Sequence, residues 1–243
     1  MRALSAIYRR ELGSYLTTPT AYVFIAVFLF ASGAFTFEIG DFFGQGRADL
    51  GAFFAAQPWL LMVFLPALAM RLWAEERKAG TDELLLTLPA TVWTLTLGKY
   101  LAAWTLAAIA VALTAPLWIT VNLLGHPDNG AIAAAYLVTL LMAGGYVAIG
   151  VALSALTSAQ VVAFVLAVLV CFLLTALGAP STLALARSLG PDLSDLLAAI
   201  SILAHYESAQ RGVLDLRALI FFASLIWLFL SAAVLAVEAK RGG

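Results

Sequence analysis

Charge is scarce in this sequence. Asp, Glu, Lys and Arg make up 11% of its 243 residues, against about 25% in a soluble domain. A soluble chain of this length still needs a polar surface. With 63% hydrophobic residues and a mean hydropathy of +1.00, this chain has too little polar material to make one. The solvent that accepts such a surface is lipid. Cysteine is nearly absent too. Cys171 stands alone, which excludes an intrachain disulfide. A net charge of -1 and a pI of ≈ 6.1 provide no basic surface, so no nucleic-acid partner is expected.

Catalytic signatures are also missing. There is no Gly-x-Ser-x-Gly elbow, which leaves an intramembrane serine hydrolase without support. Lys78, Lys99 and Lys240 are followed by Ala79, Tyr100 and Arg241. A P-loop needs Gly-Lys followed by Ser or Thr, so this chain cannot bind ATP by that motif. His126 and His205 fall in different loops without metal-ligand spacing, and both read as solvated. Glu38, Arg71, Lys99 and Glu238 lie near span ends, whereas a proton-coupled carrier usually keeps a carboxylate near mid-membrane. The chain is expected to be no enzyme and to hold no cofactor or metal.

What the sequence does have is long apolar runs. A bilayer-crossing helix needs about 20 mostly apolar residues. Six runs qualify: 20–40, 53–73, 98–124, 132–156, 161–178 and 216–237. The second is the weakest, because Pro58 and Pro66 interrupt it. The fold class is therefore all-α, a polytopic membrane protein forming one transmembrane domain over 1–243. Residues 1–19 form an interfacial helix, 20–178 hold spans one to five, 179–215 form an external segment, and 216–238 hold span six. The first run is too long for a signal-peptide core and reads as a signal anchor.

Lys and Arg set the orientation. With six spans, one side carries Arg2, Arg9, Arg10, Arg71, Arg77, Lys78, Lys99, Lys240 and Arg241. The other carries Arg47, Arg187, Arg211 and Arg217. This bias puts both termini in the cytoplasm. At the N-terminus, Leu4, Ile7, Tyr8, Leu12, Tyr15 and Leu16 recur at helical spacing, which predicts an amphipathic helix on the inner leaflet. Arg2, Arg9 and Arg10 lie off that stripe, facing lipid phosphates. In the external segment, Ser194 as N-cap and Asp195 in the first turn predict a short amphipathic or re-entrant helix. Leu196, Leu197, Ile200 and Leu203 would share one face. Arg187, Asp192, Asp195, His205, Glu207 and Arg211 would form its wet side or contact a substrate or outer partner.

The densest charge lies between the second and third spans, in "RLWAEERKAGTDELLLTLPA". Ala79-Gly80 permits a sharp turn. Thr81 suits an N-cap, and Asp82 and Glu83 fall where the helix dipole favours negative charge. Leu84, Leu85 and Leu88 then share a face, and Pro89 follows the end. Two turns are not stable alone in water. This helix either lies on the protein's own spans or docks a cytoplasmic partner.

The stretch resembles the signature loop of type-2 ABC-transporter permeases. Glu75, Glu76, Gly80, Thr81, Glu83, Leu84, Leu85 and Pro89 match it position by position. "YRRELGSYLTTPTAYVF", "FLPALAMRLWAEE", "GVALSALTSAQVVAF" and "HYESAQRGVLDLR" resemble the gliding-motility branch, which includes permeases of nitrous-oxide-reductase maturation. Ala159 departs from that branch's usual Asn. The resemblance implies a permease in a bacterial inner membrane, with both termini cytoplasmic. It implies a cytoplasmic ABC ATPase dimer as partner, with ATP and Mg bound there. Residues 82–89, with Leu88 on their apolar face, would be the coupling helix. Six spans make half a transporter, so a second permease is implied, identical or not, in some systems one with a large external domain. The other reading is a membrane scaffold of a gliding-type envelope machine, moved mechanically by an ATPase.

Overall fold

The computed structural model describes residues 2–42, 44, 49–81, 90–210, 212 and 215–241. The side chains of Arg2, Ala209, Lys240 and Arg241 are not part of that description. Every regular element among these residues is a helix. Lipid favours this outcome, because a helix pairs its backbone groups within one segment.

The chain opens with α1 (Arg2–Thr17) and turns at Thr18 into α2 (Pro19–Ala34), which ends in a π-helical turn over Phe35–Ile39. Pro19 at the first position suits the missing donor there. The second span combines α3 (Gly51–Ala69) and α4 (Arg71–Ala79), with Pro58 and Pro66 inside α3. The third combines α5 (Val92–Ala112) and α6 (Ala115–Leu124), broken before Pro116. It begins at Val92, earlier than the apolar run alone predicts, because Thr91 caps it by accepting the Thr94 N–H at 3.2 Å. Next come α7 (Asn129–Leu156) and α8 (Gln160–Ala176). Then follow α9 (Pro180–Leu189), α10 (Pro191–Ile200), α11 (Ile202–Gln210) and α12 (Leu216–Arg241).

Among the described residues, five helices are long and apolar enough to cross a membrane: Pro19–Ile39, Gly51–Ala79, Val92–Leu124, Asn129–Leu156 and Leu216–Ala239. A further pair, Gln160–Ala176 and Pro180–Leu189, meets the same test together but is bent by 63°, the form of a broken span or a re-entrant loop. Pro180 cannot continue the helix before it, and the bend follows. α7 is the hub, and α3, α4, α5, α8, α11 and α12 all pack on it. Its Ala- and Gly-rich faces let neighbouring backbones approach closely, as membrane packing requires.

The outer segment differs from its expected form. The single helix beginning at Ser194 is two helices. α10 starts at Pro191 with Gly190 as its cap, and α11 starts after a break at Ser201. Ser194 therefore lies inside α10, and its hydroxyl donates to the Pro191 carbonyl at 2.8 Å. Leu203 turns inward with Ile202 and Tyr206, whereas Leu196 and Ile200 stay exposed. The Tyr206 hydroxyl meets Thr139 Oγ1 of α7 at 2.9 Å. His205 is not simply solvated. Its ring stacks on Phe221 at 4.1 Å, and its Nδ1 lies 2.8 Å from the Ser201 carbonyl. Among the described residues no group of metal ligands occurs. Arg211 lies outside them.

Candidate functional site: the charged junction of α1, α4 and α5

On α1 the stripe of Ile7, Tyr8, Leu12 and Tyr15 turns onto the protein. Ile7 and Tyr15 are buried, and Tyr8 and Leu12 pack against the core. Leu4 is half-buried and Leu16 is exposed. α1 lies mainly along α5. Gly98 makes that closeness possible, since a Cβ there would sit 2.7 Å from Ile7 Cγ2. Tyr8 Oη meets Thr105 Oγ1 of α5 at 3.2 Å. Tyr15 Oη donates to the Leu68 carbonyl of α3 at 3.0 Å, and the Arg71 guanidinium stacks over the Tyr15 ring at 4.4 Å.

Glu11 sits between Ile7 and Tyr15 on this buried stripe, at i+4 from one and i−4 from the other. An isolated carboxylate there would be costly to desolvate. It is met by Lys99 of α5, whose side chain is 1% exposed. Lys99 Nζ donates to Glu76 Oε1 of α4 at 2.7 Å and to Glu11 Oε1 at 3.3 Å. Arg10 Nη2 closes the ring, donating to Glu11 Oε1 at 2.5 Å and to Glu76 Oε1 at 3.3 Å. Lys99 also lies 5.2 Å from the centroid of the Trp73 ring. Two cations and two carboxylates thus join three helices. Burial alone would raise the Glu11 carboxyl. The Lys99 charge and the hydrogen bond from Arg10 outweigh it and hold the group below its ordinary value of 4.5. Among the described residues, one oxygen is unmatched: Glu76 Oε2 is buried and has no hydrogen-bond partner there.

α4 is fixed from behind by Ser154 of α7. Its Oγ accepts the N–H groups of Trp73 and Ala74, each at 3.0 Å, and donates to the Met70 carbonyl at 2.7 Å. One hydroxyl therefore seals the break between α3 and α4. Arg77 donates to the Ala155 carbonyl of α7 as well. α4 ends at Gly80, in left-handed backbone with φ 67°. The Gly80 N–H reaches the Arg77 carbonyl at 3.2 Å, and the Thr81 N–H reaches that of Glu76 at 2.9 Å. This paired pattern stops the helix and is what glycine supplies at that position.

The expected site residues therefore divide. Glu76 turns into the junction, Glu75 is exposed, and Gly80 and Thr81 form the exit turn. The Thr81 hydroxyl donates back to the Glu76 carbonyl at 3.3 Å. Glu83, Leu84, Leu85, Leu88 and Pro89 lie outside the described residues. Arg9 is exposed. Arg10, expected to face lipid, pairs with Glu11 and Glu76 although its side chain is 52% exposed. Sequence reading passed over Glu11, Lys99 and Ser154. A signal existed for the first two: Glu11 shares the spacing of Ile7 and Tyr15, and Lys99 that of buried Leu95 and Ala103.

The family described as ABC-2 family transporter protein matches residues 48–238, a range that holds α4, the Gly80 turn and Lys99 and begins after α2. No curated protein matches the chain. An ABC-2 permease is typically a non-catalytic transport subunit that works with a partner ATPase. With a match over most of its length and a bundle of membrane-crossing helices, this chain belongs to the ABC-2 transporter family as a multi-pass transmembrane subunit of an ABC transporter.

Proposed function

We propose that this permease receives the movement of a cytoplasmic ATPase through residues 82–89 and passes it into the membrane through the junction of α4, α1 and α5. The observation that carries this reading is buried Lys99, which binds Glu76 and Glu11 at once. Glu76 lies one turn before the Gly80 exit that leads to residues 82–89. A displacement of those residues acts first on α4. The ion cluster then links α4 to α1 and the third span, while Ser154 and Arg77 link it to the fourth. The unmatched Glu76 oxygen leaves an acceptor for a second pairing, as a two-state element needs. ATP binding at the partner would bias that element.

In this reading the end bearing α1 and Gly80 is cytoplasmic, in keeping with the distribution of Lys and Arg. The membrane is a bacterial inner membrane. ATP and Mg bind to the ATPase dimer, not to this chain, and a second permease completes the pore. The residue matches to the gliding-motility branch support placement there and envelope-directed export, with no substrate class attached.

Leu84, Leu85 and Leu88 supply the apolar contact to the ATPase, with Glu83 at its rim and Pro89 ending the helix. Leu85→Asp should put a charge into that contact and weaken association by several kcal/mol. Co-purification of the ATPase with tagged permease tests this. Loss of the ATPase from a folded Leu85→Asp permease supports the reading, and undiminished co-purification contradicts it.

A further inference from the structure

Two openings beside the junction share part of their lining. A cleft of ≈ 800 Å³ between α1 and α4 has several charged and polar side chains in its lining, Arg10, Ser14, Thr18, Arg71, Glu75 and Lys99 among them. A groove of ≈ 440 Å³ between α2 and α3 is mostly apolar, lined by Val23, Phe24, Val27, Phe64 and Leu68. Tyr15, Arg71 and Glu75 line both. They lie where α2 begins and α4 approaches its end, near the ends of two membrane-crossing helices. A charged chamber opening onto an apolar groove at that level has the polarity of a phospholipid.

The charges narrow the class. In the cleft, Arg10, Glu11, Glu76 and Lys99 compensate one another. Arg71 and Glu75 remain, and among the described residues neither has an ion-pair partner. Arg71 is held over the Tyr15 ring, which fixes its guanidinium beside the cleft it lines. A guanidinium suits a phosphate. An exposed carboxylate one turn further along α4 suits a primary ammonium. An anionic glycerol headgroup would leave Glu75 uncompensated, and a quaternary amine offers it no N–H donor.

We propose that the cleft and groove bind one phospholipid with a primary-amine headgroup, its phosphate on Arg71, its ammonium on Glu75 and an acyl chain along Val23, Phe24 and Val27. The lipid lies against α1 and α4 at once and fills the space between the junction and the bilayer. This inference does not rest on the coupling reading, and neither fails with the other.

The test is native mass spectrometry on the full-length detergent-purified chain, titrated with phosphatidylethanolamine, phosphatidylcholine and phosphatidylglycerol of matched chains. Glycerophosphoethanolamine, the same headgroup without chains, is the fourth ligand. One phosphatidylethanolamine per chain should be retained, with about tenfold preference over the other two lipids. The chainless headgroup should not be retained. Arg71→Gln should lose the lipid, and Glu75→Gln should equalise the ethanolamine and choline lipids. Val27→Trp, which fills the groove, should weaken retention. Glu75 is exposed, so Glu75→Gln remains decisive if Arg71→Gln does not fold. Equal retention of the three lipids, an unchanged preference in Glu75→Gln, or tight binding of the chainless headgroup overturns the proposal. So does a Val27→Trp chain that keeps its lipid but loses a second copy of itself.

Discussion

Lys99 Nζ lies 2.7 Å from Glu76 Oε1, and this contact joins the third span to the last turns of the second. A lysine that is 1% exposed amid apolar helices is explained by its partners: Glu76, Glu11 and the Trp73 face. Removing one member of a buried ionic cluster typically costs more than the cluster's net contribution, because it strands the rest.

Gly98 sets the approach of α1 to α5. Gly98→Leu should drive Ile7 away and lift α1 from the bundle, with an overpacking cost of about 1–3 kcal/mol. A cysteine placed at Leu12 should then react with a maleimide much faster than in the Gly98 parent. The native Cys171 is buried and should not contribute. Equal labelling rates in the two backgrounds would show that α1 is not seated through Gly98.

Ser154 satisfies three backbone groups at the break between α3 and α4. Ser154→Ala leaves two N–H groups and a carbonyl buried without that partner, at about 1–3 kcal/mol. The thermal midpoint of the purified protein should fall. Ser154→Thr, which keeps the hydroxyl, should retain more stability than Ser154→Ala. If the two midpoints coincide, the hydroxyl is not what holds the break.

Glu11 sets a pH limit on the docking of α1. Its folded-state carboxyl is held below the ordinary 4.5, with Lys99, Arg10 and Glu76 as the ionisable groups around it. A depressed carboxyl contributes stability that is present above its unfolded value. That stability is lost as pH falls through the folded value. The Leu12 cysteine should therefore stay protected at neutral pH and become reactive only as pH falls below the ordinary carboxylate value of 4.5. A thiol reagent active in acid, such as a pyridyl disulfide, reads this. Glu11→Gln should remove the acid-dependent step, and an unchanged step would place its origin elsewhere.

Much of the architecture was legible because lipid allows few solutions. Apolar runs of span length became helices, and Gly80 became the turn expected of it. The errors came from tertiary context. Ser194 looks like a cap in isolation, but Pro191 starts the helix three residues earlier. Residues 180–189, read as part of the segment after the fifth span, form a helix that Pro180 starts at 63° to the one before it. Arg10 counts as a membrane-facing cation by charge alone, and only the fold brings Glu76, distant in sequence, beside it. Lys99 counts toward the Lys/Arg bias equally well whether it faces water or is buried. Its burial depends on α1 folding back along α5, which local periodicity does not encode.

The coupling account is tested most directly by ATPase stimulation in reconstituted membranes, measured per bound ATPase, for Lys99→Met permease. Residues 82–89 are untouched in this variant, so the ATPase should bind as in the parent. With the cluster cut, α4 no longer carries α1 and the third span with it, and stimulation should fall severalfold or more. Full stimulation of a normally bound ATPase by the Lys99→Met permease would contradict the junction's role in transmission.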